Sequence, residues 1–187
     1  VVDWNPERLM QEYPGDPEMP LMLFKKGFFT SHWQDFDRGT ADQRETVRRM
    51  SDFSGRHYDE CWDFMEFVKH SLRDIPETQQ LIKELSARGF RLFCLSNMSL
   101  DFYDYLKDRE VFQFFEGQII SALEKTIKPE KKIFEILMER YGVNSGESVF
   151  IDDLEQNIRT AAELGFHTVH FADKEKGMRQ LRNLLDC

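Results

Sequence analysis

Cysteine is scarce in this 187-residue chain, and the three present, Cys61, Cys94 and Cys187, are odd in number and far apart. Neither a disulfide framework nor a zinc-ligand spacing can be drawn from them, so the chain reads as reduced. No apolar run approaches the roughly 20 residues needed to cross a bilayer. No secretory pattern opens the sequence, which predicts a cytoplasmic protein. Positive charge is also short: 25 Lys and Arg stand against 34 Asp and Glu, for a net charge of −9. That balance excludes nucleic acid and anionic membrane as main partners. A small phosphorylated substrate stays open, because a bound cation can reverse the local field. Repeats, low-complexity segments and flexible linkers are missing too. The expectation is one substantial core, or a core carrying a smaller insert, in a monomer or weak homodimer.

What is present falls into two rhythms. Asn5-Pro6-Glu7 opens a helix, with Asn as cap and Pro in the first turn, and Pro14-Gly15-Asp16-Pro17 breaks it. Residues 17–75 then read as four short helices rich in Phe, Trp and Met. The first ends at Gly27, and a cluster from Phe28 to Phe36 ends at Asp37-Arg38-Gly39. Thr40 is expected to cap a helix running to Gly55, and a last segment goes from Tyr58 toward Leu72. From Pro76 onward helices and strands alternate. Strands are expected at Phe90–Leu95, Gly117–Ser121, 148–152 and Thr168–Phe171. Helices are expected at 76–88, 99 to about 115, from Pro129 to Gly142, 154–164, and to Leu185. Such alternation predicts an α/β fold with a doubly wound, Rossmann-like parallel sheet core. Residues 1–14 and 76–187 would form that core, and the α-helical block 15–75 a small insert over it.

Three polar clusters each follow a predicted strand: Ser96-Asn97, Lys128 and Asp152-Asp153. Carboxyl ends of parallel strands are where open α/β sheets bind ligands. Two adjacent carboxylates repel each other unless a cation, a proton or a helix N-terminus compensates. Read separately, Ser96 or Asn97 could cap the helix at 99, Asp153 the helix at 154, and Lys128 could be a solvated loop lysine. Read together, they suit phosphoryl transfer. Asp152 and Asp153 offer hard oxygen ligands for Mg²⁺, Ser96 and Asn97 offer hydrogen-bond donors, and Lys128 offers a fixed positive charge. A nucleophile is missing from this set. His167 and His170, three apart on a strand, point to opposite faces and make a poor metal pair, and Cys94 is assigned to packing.

Leu95-Ser96-Asn97, Lys128-Pro129-Glu130 and Phe150-Ile151-Asp152-Asp153-Leu154-Glu155-Gln156-Asn157-Ile158 resemble motifs II, III and IV of the haloacid dehalogenase-like (HAD) hydrolases. The opening Val1-Val2-Asp3-Trp4-Asn5-Pro6 is similar to the stretch after motif I in a branch with a small helical cap. That branch includes bacterial sugar-phosphate phosphatases and resembles the phosphatase domain of soluble epoxide hydrolases. The resemblance implies Asp153 as direct Mg²⁺ ligand, with Asp152 beside it as a second or water-mediated ligand. It implies that Ser96 and Asn97 hold phosphoryl oxygens and Lys128 neutralises charge. Asn157 would support the motif IV loop, and 15–75 would be the cap that closes over substrate. Trp33, Asp37 and Arg38 are the cap residues singled out, against the plainer reading of Trp33 as cap core and Arg38 as an ion-pair partner of Asp35 or Asp37. The nucleophile would be a motif I aspartate forming an aspartyl-phosphate. It is expected upstream of Val1, on a central strand that the chain does not include.

The leading expectation is a Mg²⁺-dependent phosphatase acting on a small phosphorylated metabolite such as a sugar phosphate. One rival is 2-haloacid dehalogenation, which shares the fold and needs no metal; the acid pair argues against it. Another is a non-catalytic binding protein of the same fold, suggested by the missing motif I.

Overall fold

A computed structural model describes residues 2–185, so Val1 and Cys187 of the sequence reading lie outside the described residues. The chain divides into two compact units, Val1–Lys125 and Thr126–Cys187.

In the first unit, helix α1 (Pro6–Glu12) starts as its sequence dictates: the Asn5 side chain accepts from the Arg8 amide at 3.0 Å and Pro6 occupies the first turn. Just before it, strand β1 (Val2–Asp3) pairs antiparallel with β2 (Arg73–Asp74). This two-residue ladder, too short for any alternation to mark it, joins the two ends of the helical stretch. Between them lie α2 (Glu18–Lys25), α3 (Phe28–Ser31), α4 (Trp33–Arg38), α5 (Gln43–Ser54) and α6 (Tyr58–His70). The Phe28–Phe36 cluster is therefore two helices, broken at His32. Asp42, not Thr40, caps α5: its carboxylate accepts from the Glu45 amide at 2.8 Å. Thr40 instead donates its hydroxyl to the Asp35 carbonyl.

The unit continues through α7 (Pro76–Ala87), β3 (Phe93–Ser96), α8 (Leu100–Leu106), a 3-10 turn at Glu110–Phe114, β4 (Gly117–Ile120) and α9 (Ser121–Glu124). The helix expected to run to about 115 stops at Leu106. Arg109 takes an extended conformation, and its guanidinium donates to Asp74 and to the Leu72 carbonyl. β3 starts at Phe93 rather than Phe90, because its partner β4 begins at Gly117, directly opposite Phe93. The two strands are parallel, with Ser96 opposite Ile120. One apolar cluster runs from Leu9, Phe28 and Trp33 through Phe64 to Cys94 and Phe102. The ring of Phe102 meets Trp33 and Phe36 edge-on, with centroids 5.8 and 5.6 Å away.

The second unit holds α10 (Lys131–Tyr141), β5 (Val149–Asp152), α11 (Glu155–Glu163), β6 (His167–His170) and α12 (Lys174–Leu184). Pro129 precedes α10 rather than opening it; Glu130 is the residue before the first helical position. Gly142 ends α10 in the left-handed region at φ 63°, as a helix-terminating glycine should. β5 and β6 are parallel, with Asp152 opposite His170. Their connection through α11 is the crossover that parallel pairing requires. The fold is thus α/β and Rossmann-like, with parallel strand pairs whose carboxyl ends carry polar residues.

Phe134 of α10 is fully buried, with Phe150 at 5.1 Å and Phe166 at 6.4 Å. Truncation should leave a cavity at the centre of the second unit. Phe134→Ala is expected to cost about 3–5 kcal/mol of stability, read from chemical denaturation. Loss of the α5 cap in Asp42→Ala should cost only about 1 kcal/mol.

Candidate functional site

Asp152 ends β5, and its carboxylate is almost entirely withdrawn from solvent. A buried charge survives only when paired and hydrogen-bonded. The surrounding groups meet that demand on both oxygens. Lys128 places Nζ 2.7 Å from Oδ2, while Oδ1 accepts from the Leu154 amide and from Asn157 Nδ2, each at 2.9 Å. The lysine side chain is itself only 11% exposed and runs over the Phe150 ring at 5.7 Å. Its loop is braced from within by Thr126 Oγ1 donating to Glu130 and by the Glu130 amide donating to the Ile127 carbonyl. Lys128 is therefore a largely covered cation fixed by a folded loop, not a solvated side chain.

Asp153 behaves oppositely. Its side chain is exposed, and its carboxylate has no hydrogen-bond or ion-pair partner among the described residues. It is not a cap either. Leu154 occupies the position before α11, which has no side-chain cap. Its backbone is held instead: the Asp153 carbonyl accepts from His170 Nε2 at 2.8 Å, so that ring nitrogen carries the proton. Behind it Asn157 is buried, and its Oδ1 has no hydrogen-bond partner. An orphaned buried oxygen in a native fold calls for an explanation, such as an ion or water. Lys128 answers the charge of Asp152, and nothing among the described residues answers that of Asp153. An exposed carboxylate with no partner of its own is a hard-oxygen donor of the kind Mg²⁺ takes. The described residues supply only part of a ligand set, since no group of three or more His, Cys, Asp or Glu gathers among them.

In the first unit Ser96 and Asn97 follow β3, and neither caps the next helix. Ser99 does, accepting from the Phe102 amide at 3.3 Å. The side chain of Ser96 makes only a long contact of 3.5 Å to the Asn97 carbonyl. Of the residues expected in a cap, Trp33 is buried among Trp4, Phe29, Phe36 and Phe102, as a core residue would be. Asp35 pairs with Arg49 at 2.7 Å. Asp37 offers its carbonyl to the hydroxyl of Ser121. The structure thus gathers Lys128, Asp152 and Asn157, leaves Asp153 open, and seats Ser96 and Asn97 at a second strand end. Sequence reasoning missed Ser121, the Leu154 amide and the His170 contact. Only Ser121 left a signal, a polar residue directly after a parallel strand.

Residues 7–165 match the family model for haloacid dehalogenase-like hydrolases. Among curated relatives, a sesquiterpene phosphatase of Aspergillus oryzae is 24% identical over 156 residues, 83% of this chain and 80% of that protein. Among solved structures, a HAD family enzyme of Bacteroides thetaiotaomicron in complex with magnesium and inorganic phosphate superposes with a TM-score of 0.71. It is 23% identical over 90% of this chain and 87% of its own. L-2-haloacid dehalogenase of Xanthobacter autotrophicus, solved with chloropropionic acid covalently bound, gives a TM-score of 0.64. It is 20% identical, covering 88% of this chain and 71% of that one. At these identities the structural likeness establishes the fold alone. The family match covers most of the chain and includes both strand ends just described, and by it the chain belongs to the haloacid dehalogenase-like hydrolases.

Proposed function

We propose that this hydrolase is a phosphomonoesterase that removes phosphate from a small phosphorylated metabolite, such as a sugar phosphate, with Mg²⁺ as cofactor. The observation that carries the reading is the asymmetry of the acid pair. Asp152 is saturated by Lys128, Leu154 and Asn157, while the Asp153 carboxylate is exposed and has no partner among the described residues. Such a pair has one carboxylate to organise the loop and one to spare for a cation. The phosphatase among the relatives and the neighbour holding magnesium and phosphate lend support.

In this reading Asp153 would hold Mg²⁺ with Asp152 beside it, and Asn157 would support their loop through its bond to Asp152. When bound, the ion neutralises oxygens of the transferring phosphoryl group. Lys128, held in place by Asp152, sets a fixed positive charge against the charge that develops during transfer. The Ser96 hydroxyl and Asn97 amide donate to phosphoryl oxygens. Such a reaction needs a carboxylate nucleophile that attacks phosphorus to give an acyl phosphate, with solvent protonating the leaving alkoxide, after which water cleaves the acyl phosphate. The helices of 15–75 act as the cap that excludes bulk water.

The second reading, dehalogenation of a 2-haloacid, is favoured by the fold likeness to the dehalogenase. It gives the open carboxylate of Asp153 no task.

Full-length protein should release inorganic phosphate from a panel of small phosphate monoesters with Mg²⁺ present. Chelation should abolish the release, and Asp153→Asn should lower kcat/KM by at least a hundredfold. Turnover indifferent to both would sink the metal assignment, and chloride release from a haloacid without Mg²⁺ would reverse the ranking.

Stability supplies a separate check. Lys128→Met strands the buried Asp152 charge and should cost about 3–5 kcal/mol in denaturant unfolding. Adding Asp152→Asn should recover part of that loss. Strictly additive costs would mean that the pair is not coupled.

A further inference from the structure

β3 and β4 are parallel and end together, so Ser121, the first residue past β4, lies beside the exit of β3. It is fully buried. Its hydroxyl oxygen accepts from the Met98 amide at 2.8 Å and lies 2.5 Å from the Asp37 carbonyl and 3.3 Å from the Met98 carbonyl. A hydroxyl has a single proton, and the nearer carbonyl, that of Asp37, takes it. One side chain thus ties two remote segments: the Ser96–Ser99 loop and the carboxyl end of α4. The next residue adds a grip, since the Ala122 amide donates to the Met98 carbonyl at 3.4 Å.

The carboxyl end of α4 is clasped further. Its last carbonyls lack partners within the helix. Lys125 Nζ donates to the Gly39 carbonyl at 2.6 Å, placing a cation at the negative pole of α4. Lys125 adopts φ 58°, the only left-handed residue other than glycine among the described residues. Strain of that kind persists where surrounding contacts over-determine the backbone. Gly39, at φ 71°, allows the approach, because a Cβ there would stand 2.6 Å from the Ala122 carbonyl oxygen. On its buried face α4 rests on Phe102, which follows the Ser96–Ser99 loop.

We propose that Ser121 is a positioning residue that couples the Ser96-Asn97 loop to α4, so that cap and phosphate-binding loop move and order as one element. The inference rests on the phosphatase reading for what that loop binds. The coupling itself stands on the hydrogen bonds. Ser121 touches no substrate; it sets where the Met98 amide, and hence the preceding Ser96 and Asn97, can sit.

Amide hydrogen exchange on the full-length protein tests the coupling without needing activity. Ser121→Ala should raise exchange in residues 33–39 and 97–102 together, about tenfold in each. Lys125→Met releases only the α4 carbonyl and should affect 33–39 alone. Exchange that rises in one segment only for Ser121→Ala, or in neither, overturns the proposal. Steady-state kinetics then reads the role in binding. Ser121→Ala should raise KM for a phosphate monoester about tenfold with kcat changed less than threefold. Thr46→Ala, which removes a buried hydroxyl bonded only within α5 and its cap, should leave KM unchanged. A KM equal to wild type, or an equal rise in both variants, overturns the positioning role. Should Ser121→Ala fail to fold, Ser121→Cys keeps a weaker donor and should give a smaller joint rise in exchange. A wild type inactive on every monoester would remove the phosphatase reading, while the exchange result would still decide the coupling.

Discussion

The second unit depends on keeping one carboxylate charged inside the protein. Asp152 sits where a parallel strand delivers its last side chain, away from water, where an uncompensated carboxylate would be costly. Lys128 supplies the opposite charge, while Leu154 and Asn157 supply two further donors. Each donor brings a constraint. The lysine holds the loop before α10 against β5, the Leu154 amide bends the chain tightly after the strand, and Asn157 draws the first turn of α11 toward the strand end. Three segments are thereby placed by the need to solvate one charge from within. The neighbouring Asp153 is exposed, its carbonyl held by His170 and its carboxylate without a partner among the described residues.

A related device operates in the first unit with a neutral group. Ser121, at the exit of β4, takes the Met98 amide and gives its proton to the Asp37 carbonyl. Polar groups at the ends of parallel strands are short of backbone partners because the ladder has stopped. In both units a side chain from one chain segment completes the bonding of another. The energetic stakes are high because these groups are buried, where an unmade hydrogen bond costs more than a made one contributes. The aromatic cluster around Trp33, Phe36 and Phe102 provides the non-directional part of the same junction.

Helix caps and stops followed local chemistry where the local rule had no rival. Asn5 and Pro6 open α1, and Gly142 closes α10, because each satisfies a backbone need within a few residues of itself. Local reading failed where remote partners intervened. The helix after Ser99 ended early because Arg109 is pulled toward Asp74 and Leu72. Thr40 lost the cap of α5 to a local rival, Asp42, two residues on. The β1–β2 ladder was invisible because its two strands are seventy positions apart and two residues long.

The sequence by itself determined the α/β class and the family, and it singled out the polar residues that directly follow the strands. Alternation of apolar runs with helical periods, and acids or amides directly after such runs, are properties of neighbours along the chain. Tertiary structure alone decided how those residues divide the work. Two adjacent aspartates are equivalent on paper, and they became a buried anchor and an exposed carboxylate in a fold where Lys128 lies 2.7 Å from one of them. Ser121 was one serine among several until folding set it between Met98 and Asp37. Charge compensation and hydrogen-bond completion act through space over a few ångströms, and the separations along the chain that they bridge carry no periodic signal.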